Sequence, residues 1–146
     1  MNGDSIQSYY SEDHDRLDEL FGRFQSLKAS DLQNAAGIFK EFRAGLERHI
    51  DWEEEILFPT FEDKTGHRSG PTEVMRHEHR QIREILDAID DKLARGDDDT
   101  VHEEKGLLAV LEPHNQKEEG ILYPMIDRVT NAEEREMIFA EMKQAS

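Results

Sequence analysis

The sequence predicts an all-α protein, built as an up-down-up-down four-helix bundle with a short C-terminal helix. Apolar residues recur at helical spacing in four long segments, and short polar loops separate these segments. No stretch shows the sustained alternation of apolar and polar residues that is typical of β-strands. With 146 residues the chain is long enough to bury one core, so we expect a single domain over residues 1–146.

The first two helices are expected within about residues 5–62. The first runs from Ile6 to about Leu27 and keeps its apolar residues on one face. Ser30 or Asp31 is suited to cap the second helix, because a short polar side chain accepts hydrogen bonds from free N–H groups of the first turn. Pro59 has no N–H, so it should end or bend the second helix near its last turn.

The second helix pair is expected within about residues 70–127, after a glycine-rich loop at 63–71. Pro71 is suited to the first turn of the third helix, and a glycine C-cap with an acidic turn follows at 94–100. Pro113 lies inside the fourth helix and should kink it. The apolar faces of the third and fourth helices are expected to include Val74, Met75, Val101, Ile121 and Leu122.

A short helix is expected at the C-terminus, from about Ala132 to Lys143. Its inward residues would be Met137, Ile138 and Met142. This helix lies after the second helix pair and is not part of either pair.

One pattern occurs twice in the chain. Residues 49–59 read HIDWEEEILFP and residues 114–124 read HNQKEEGILYP, so both follow H-x-x-x-E-E-x-I-L-[FY]-P. The offset is constant at 65 residues, since 114 − 49 = 65 and 124 − 59 = 65. His14 and His79 differ by the same 65 residues. The sequence therefore predicts two helix pairs that place equivalent histidines and carboxylates in equivalent positions.

The repeated motif has metal-ligand spacing. Residues i and i+4 share one face of a helix, so His49 projects with Glu53, and His114 projects with Glu118. Apolar residues continue along the same side, which indicates that both pairs point into the core. A buried carboxylate without a partner is costly, and a coordinated metal ion removes that cost.

His14 and His79 lie on the inward stripes of the first and third helices, so four histidines and two glutamates are expected to converge. Two ions would each take two imidazoles, with Glu53 and Glu118 bridging. Nitrogen and oxygen donors of this kind suit iron, manganese, copper or zinc better than calcium or magnesium. A single H-x-x-x-E pair is usually an exposed ion pair, and the constant offset of all six residues argues against that alternative.

Several further polar residues lie near the predicted site. Tyr10 is one turn before His14, so one hypothesis is that it coordinates a metal ion or donates a hydrogen bond to a bound oxygen atom. The alternative is a core tyrosine whose hydroxyl is satisfied elsewhere. The carboxylates of Asp13, Glu54, Glu78 and Glu119 are candidates for orienting ligand imidazoles, or lie on the surface.

The remaining histidines, His67, His77 and His102, have no histidine 65 residues before them and are predicted to face solvent. His77 could alternatively support a ligand from behind.

Composition excludes several classes of function. The chain has 34 acidic and 18 basic residues, a net charge of −16, which argues against nucleic acid and anionic membranes as partners. It has no cysteine, so disulfides, thiolate catalysis and iron–sulfur ligation by the chain are excluded. The N-terminal residues do not read as a signal peptide, and no apolar run approaches the length of a membrane span. A cytoplasmic protein is expected.

The pattern H … H-x-x-x-E … H … H-x-x-x-E, with its ILFP-like runs, resembles the hemerythrin-like (HHE cation-binding) family over nearly the whole chain. The resemblance implies a four-helix bundle that holds two iron ions in a non-haem di-iron centre with an oxo or hydroxo bridge and an open position for a small ligand. By position, the family's ligands match His14, His49, Glu53, His79, His114 and Glu118.

Two departures from the oxygen-carrying members are visible. Met75 stands where those proteins have a histidine one turn before His79, and Glu118 replaces the aspartate of their H-x-x-x-x-D motif. The four-histidine, two-glutamate set is more similar to bacterial relatives linked to iron-centre repair and to nitric oxide or oxygen sensing.

The resemblance implies a di-iron protein that binds or reacts with dioxygen, peroxide or nitric oxide in oxidative or nitrosative stress. Whether it is an enzyme stays open, because no acid–base dyad or substrate cleft is recognisable, and its protein redox partner is not indicated. The alternatives are an iron store, donor or sensor that acts through a partner protein, and a purely structural bundle. A ferritin-like oxidase is set aside, because its ligand motif is Glu-x-x-His.

Overall fold

A computed structural model of the protein describes residues 5–67 and 70–145. Within them the chain forms seven α-helices, interrupted by two short π-helical turns, and no strand. The elements are α1 (Ile6–Lys28), α2 (Leu32–Trp52), π1 (Glu53–Leu57), α3 (Phe58–Thr65), α4 (Pro71–Ala94), α5 (Val101–Lys117), π2 (Glu118–Leu122), α6 (Tyr123–Val129) and α7 (Ala132–Ala145). The predicted all-α class is confirmed.

The four long segments of the bundle are α1, α2–π1–α3, α4 and α5–π2–α6. Neighbours in sequence pack together, α1 against α2 and α4 against α5, and α6 closes the bundle against α1 and α3. Of the two predicted N-cap residues of α2, the structure has Asp31, whose side chain accepts a hydrogen bond from the Asn34 N–H. After α4, Gly96 has a φ of 73°, a left-handed conformation that favours glycine at a helix end.

The π-turns lie directly before the two repeated prolines. In π1 the Phe58 N–H donates to the Glu53 carbonyl, five residues back, and in π2 the Tyr123 N–H donates to the Glu118 carbonyl. Pro59 and Pro124 then stand in the first turns of α3 and α6, where a missing N–H costs little. The predicted end or bend at Pro59 is therefore a widened turn, after which the helix continues.

Widening the turn changes which residues share a face. In a regular helix, a residue five positions later is rotated by about 140°, at about 100° per residue. A turn closed by an i to i+5 hydrogen bond returns that residue to the original side. Phe58 and Tyr123 are thereby brought to the same side as Glu53 and Glu118.

Two apolar clusters fill the bundle. One surrounds Phe21, Phe24, Phe39 and Phe42 and extends along α1, α2, α4 and α5. The other lies at the opposite end, where α3, α6 and α7 pack with Tyr10, Trp52 and Tyr123 as its large aromatic members. The repeated histidines lie between these two clusters, since His14 falls between Tyr10 and Leu17 on α1.

Four residues predicted to face inward are exposed instead: Val74 by 48%, Val101 by 49%, Ile121 by 57% and Met137 by 61%. In α7, Ile138 and Met142 are buried because they are four residues apart on one face, which turns Met137 outward. Ile121 differs from its repeat equivalent Ile56, which is 8% exposed, because α7 packs against π1.

Candidate metal centre

Six buried polar residues meet in the middle of the bundle. His14 comes from α1, His49 from the end of α2, His79 from α4 and His114 from the end of α5. Glu53 and Glu118 are the first residues of the two π-turns. All four imidazoles are at most 3% exposed and both glutamates are 0% exposed. The structure thus brings together the six residues that the repeat singled out.

The six residues form two overlapping groups that share both glutamates. One contains His14, His49, Glu53 and Glu118, and the other contains His79, His114 and the same two glutamates. Within each group, one nitrogen or oxygen atom per residue lies within 4.8 Å of the others.

Each glutamate directs its two oxygen atoms to different histidines. Glu53 Oε2 lies 3.3 Å from His49 Nε2, and Glu53 Oε1 lies 3.0 Å from His79 Nε2. Glu118 Oε1 lies 3.3 Å from His14 Nε2, and Glu118 Oε2 lies 3.3 Å from His114 Nε2. Both carboxylates therefore have the placement that bridging two cations requires.

The donor atoms fit a metal. Glu53 Oε1, Glu118 Oε2 and His79 Nε2 are buried and have no hydrogen-bond partner of acceptable geometry among the described residues. Buried polar atoms in folded proteins are almost always satisfied, so three unsatisfied atoms in one place need an explanation. Imidazole nitrogen and carboxylate oxygen are the donors that iron, manganese and zinc accept, and a cation here would satisfy all three atoms.

Every imidazole of the centre has a carboxylate on its second nitrogen. The four Nδ1 contacts are His14 to Glu119 at 2.7 Å, His49 to Asp13 at 2.9 Å, His79 to Glu54 at 2.7 Å and His114 to Glu78 at 2.8 Å. These pairs obey the repeat, since 78 − 13 = 65 and 119 − 54 = 65. A carboxylate on Nδ1 holds the proton there and leaves Nε2 free to coordinate, as metal-binding histidines require.

The carboxylates of the centre shift the pKa values of the imidazoles. Burial alone would lower the pKa of His49, but the charge of Glu53 and the hydrogen bond to Asp13 raise it to about 10. Burial likewise opposes the increase at His79, where the adjacent carboxylates of Glu53 and Glu54 raise the pKa to about 9. The neighbouring carboxylates therefore favour positive charge at His49 and His79.

Tyr123 is the functional residue that sequence reasoning missed. Its hydroxyl lies 2.5 Å from Glu53 Oε2 and 2.9 Å from Glu118 Oε1. The same oxygen atom lies 3.2 Å from His49 Nε2 and 3.4 Å from His14 Nε2. It therefore sits among the four donor atoms of the His14 group. The signal was present in the [FY] position of the repeat, but five residues after Glu118 it falls off the face of a regular helix.

Tyr10 lies beside the centre with its hydroxyl directed to α7. It is fully buried and its ring packs against that of His49 at 5.1 Å, but its hydroxyl donates to Met142 Sδ at 3.2 Å. The hydroxyl is thus engaged by α7, and the tyrosine oxygen that lies among the donor atoms is that of Tyr123. This arrangement matches the alternative of a core tyrosine satisfied elsewhere.

The equivalent of Tyr123 in the other half is Phe58, since 123 − 58 = 65. The Phe58 ring stacks on His79, with ring centres 5.9 Å apart and planes inclined by 8°. The His79 group therefore has an apolar ring where the His14 group has a hydroxyl. The three histidines outside the repeat, His67, His77 and His102, are exposed as predicted.

An all-α bundle with this buried set of imidazoles and carboxylates defines a metal-binding helical domain. The sequence profile of the hemerythrin HHE cation binding domain matches residues 5–144. The chain therefore belongs to the hemerythrin HHE cation-binding family, which confirms the resemblance found in the motifs.

A curated relative supports the same family. The chain is 35% identical over 91 residues to the iron-sulfur cluster repair protein YtfE of Edwardsiella ictaluri (strain 93-146). The aligned part is 58% of this chain and 41% of that protein, so the match spans less than half of the relative. No solved structure shows a significant match to the chain. Among the described helices, none combines the length and apolar character that crossing a membrane requires.

Proposed function

We propose that the chain binds two iron ions, one in each four-residue group, and acts as a non-haem di-iron protein in oxidative or nitrosative stress. The observation that carries this proposal is the placement of Glu53 and Glu118, each with one oxygen atom directed to each pair of imidazoles. Membership of the cation-binding family supports it. Two bound iron ions would supply one-electron redox changes and coordination positions for dioxygen, peroxide or nitric oxide.

The chain's own residues prepare the site in a defined way. The Nε2 atoms of His14 and His49 would hold the first ion, those of His79 and His114 the second, and the glutamates would bridge. The four carboxylates on Nδ1 keep each ring in the tautomer and orientation that coordination needs. Burial of all six residues excludes bulk water, which strengthens the electrostatic attraction between ligand and cation.

Tyr123 is proposed as an additional oxygen donor of the His14 group. In the metal-free site its hydroxyl donates to a bridging glutamate, and burial together with the charges of Glu118 and Glu53 raises its pKa well above 10. A bound iron ion would compete with that proton for the same oxygen atom. The two ions would then differ in their ligands, because Phe58 has no atom to offer.

A second candidate function is the delivery of iron to a partner protein. The curated relative is named as an iron–sulfur cluster repair protein, and a repair reaction needs a source of iron. One feature of the site favours this candidate. Glu119, which holds His14, has a side chain that is 37% exposed, so one ligand histidine lies a single carboxylate away from solvent.

The first test is metal analysis of the purified protein, with absorption spectra of the reduced form before and after exposure to air. We expect two iron ions per chain and bands that return on oxidation. The variant His114→Ala should lose metal and show a lower melting temperature, since ligands that bind only the folded state stabilise it. His102→Ala, which removes an exposed histidine, should behave as wild type.

A protein without metal, or a His114→Ala variant as iron-rich and as stable as wild type, would contradict the proposal. The two candidate functions separate in a second experiment on the iron-loaded protein. Rapid consumption of peroxide or nitric oxide without loss of iron supports small-ligand chemistry. Transfer of iron to a metal-free acceptor protein, with no turnover of either molecule, supports delivery.

A further inference from the structure

We propose that the centre exchanges metal through one side of the bundle only. The ion at the His14 position would pass through a groove between α1 and α5, whereas the equivalent groove between α4 and α2 is closed by Arg83. This inference rests on the proposed function, because it assumes two bound cations. The two halves of the repeat differ here, because Arg83 stands at the position equivalent to Asp18.

The first groove is an acidic depression that reaches the centre. It has a volume of about 310 Å³ and is lined by Asp15, Asp18, Glu112, Asn115, Gln116 and Glu119. Glu119 belongs both to this lining and to the centre, since its Oε2 lies 2.7 Å from His14 Nδ1. Movement of one half-exposed carboxylate would therefore connect the groove with a ligand histidine.

The residue next to Glu119 in the chain is a buried carboxylate with one unsatisfied oxygen atom. Glu118, the neighbour of Glu119 in the chain, is 0% exposed, and its Oε2 has no hydrogen-bond partner within residues 5–67 and 70–145. An unsatisfied, fully buried carboxylate oxygen is costly unless an ion coordinates it. Oε2 of this carboxylate faces His114 and its Oε1 lies 3.3 Å from His14 Nε2, so the groove leads from solvent toward the glutamate shared by the two groups.

At the equivalent place in the other half, an arginine links three carboxylates. Subtracting or adding 65 maps the lining of the first groove onto Arg80, Arg83, Glu47, Ile50, Asp51 and Glu54. Arg83 takes the place of Asp18, since 83 − 18 = 65. Its Nε donates to Glu47 Oε1 at 2.7 Å and its Nη2 donates to Asp51 Oδ1 at 3.0 Å. Its Nη1 lies 3.8 Å from Glu54 Oε1.

The arginine also restrains the carboxylate that supports the other half. Glu54 contacts His79 Nδ1 at 2.7 Å, so it is the equivalent of Glu119. Arg83 ties Glu54 to α4 and α2, and Arg76 Nη1 donates to the Glu54 carbonyl at 3.4 Å. Planar guanidinium groups hold several carboxylates in fixed geometry. The His79 side is therefore braced. Among the described residues, those that line the groove on the His14 side include no cationic side chain.

The charge difference favours cations at the open groove. Its lining includes four carboxylates, from Asp15, Asp18, Glu112 and Glu119. A concave surface with charges of one sign raises the local concentration of ions of the opposite sign and accelerates their association. At the closed groove, the charge of Arg83 offsets this attraction and its side chain occupies the path.

The experiment measures the release of iron(II) from anaerobically loaded, full-length protein to a chromogenic chelator. We expect two phases in wild type, each of one ion. Asp18→Arg, which copies the arginine of the other half, should slow the fast phase by about tenfold or more. Arg83→Asp should accelerate the slow phase. Asp98→Arg, an exposed substitution in the loop after α4, makes the same charge change and should alter both rates less than twofold.

The outcomes separate the inference from the proposed function. Wild-type protein that binds two ions but releases them in one phase overturns the inference alone. So does an Asp18→Arg variant that behaves as Asp98→Arg does. Failure to bind metal at all overturns the proposed function as well. If circular dichroism shows that Asp18→Arg does not fold, Asp18→Asn provides the same comparison with a smaller expected effect, and an unchanged fast phase there also overturns the inference.

Discussion

At the scale of single residues, the chemistry of the centre depends on a difference between two equivalent aromatic rings. Tyr123 and Phe58 follow the two bridging glutamates at the same distance, and only Tyr123 carries an oxygen atom. That oxygen contacts donors of the His14 group, whereas the Phe58 ring stacks on His79. The repeat therefore builds two similar groups of donor atoms, and one side chain makes them chemically distinct.

A single substitution tests this assignment. If Tyr123 binds the first ion, the oxidised iron protein should show phenolate-to-iron charge-transfer absorption in the visible range. Tyr123→Phe should abolish that absorption and lower metal affinity by about tenfold, within the range expected when a group supporting a metal is removed. The matched control is Tyr10→Phe, which deletes the hydroxyl bound to Met142 and should leave the absorption unchanged.

Absorption that persists in Tyr123→Phe and disappears in Tyr10→Phe would reverse the assignment. Absorption that is missing from wild type would leave Tyr123 as a hydrogen-bond donor to the glutamates only.

At the scale of secondary-structure elements, the π-turns give two of the four bundle segments, α2–π1–α3 and α5–π2–α6, two inward-facing residues five positions apart. In a regular helix, residues three or four positions apart share a face, and residues five positions apart do not. The prolines after π1 and π2 stand where the next helix begins, and the apolar faces of α3 and α6 remain buried through Phe61 and Ile126. The turn thus adds one residue without rotating the helix that follows.

Deletion of Gly120, an exposed residue of π2, tests this description. Removing one residue should convert the turn to an i to i+4 turn and leave α5 and α6 in phase. We expect nearly unchanged helix content by circular dichroism and a melting temperature a few degrees lower. For a chain of this size, that decrease corresponds to a loss of about 1–2 kcal/mol in the free energy of unfolding. The centre should still bind metal, because His114 and Glu118 precede the deleted residue in the chain.

The control deletes Gly22, which lies inside the regular helix α1. That deletion rotates one half of α1 by about 100° and exposes several core residues. Each large core residue contributes about 2–5 kcal/mol, so the loss exceeds the stability of a typical domain. A Gly120 deletion as damaging as the Gly22 deletion would show that π2 is not an added residue in an otherwise continuous helix.

At the scale of the whole molecule, a second buried polar cluster lies at the far end of the bundle from the candidate metal centre. Lys28 Nζ contacts Glu104 and donates to Thr100 Oγ1 at 2.9 Å, and Gln25 Nε2 donates to Glu104 Oε1 at 3.1 Å. Lys28 lies 14 residues after His14, about 21 Å along α1. The cluster joins the end of α1 to the start of α5, so it holds the two helix pairs together away from the metal.

This cluster should make the stability of the metal-free protein depend on pH. Burial alone would raise the pKa of Glu104, but hydrogen bonds from Lys28, Thr100 and Gln25 lower it below its usual value. A carboxylate whose pKa is lowered by folding stabilises the fold above its unfolded pKa of about 4.3, and this stabilisation is lost as the pH falls through the folded pKa. Glu104→Gln should cost about 3 kcal/mol at pH 7, because it leaves Lys28 buried without its carboxylate.

The measurement is urea unfolding of metal-free wild type and Glu104→Gln at pH 7 and at several values below pH 4. The difference in unfolding free energy should shrink as the pH falls. Glu19→Gln, at an exposed position of α1, should show no comparable difference at either pH. A difference that is constant across this range would contradict the role of the Glu104 charge.

The sequence alone predicted the fold class, the two helix pairs and the six residues that meet in the centre. It could do so because helical periodicity and the spacing of His49 and Glu53 are local, and the 65-residue offset repeats them at His114 and Glu118. Only the tertiary structure decided which tyrosine reaches the donor atoms and which carboxylate supports which imidazole. Those contacts join different helices, or depend on the rotation within a π-turn, and no local pattern encodes either. Ile56 is buried and Ile121 is exposed for a similar reason, because α7 packs alongside π1.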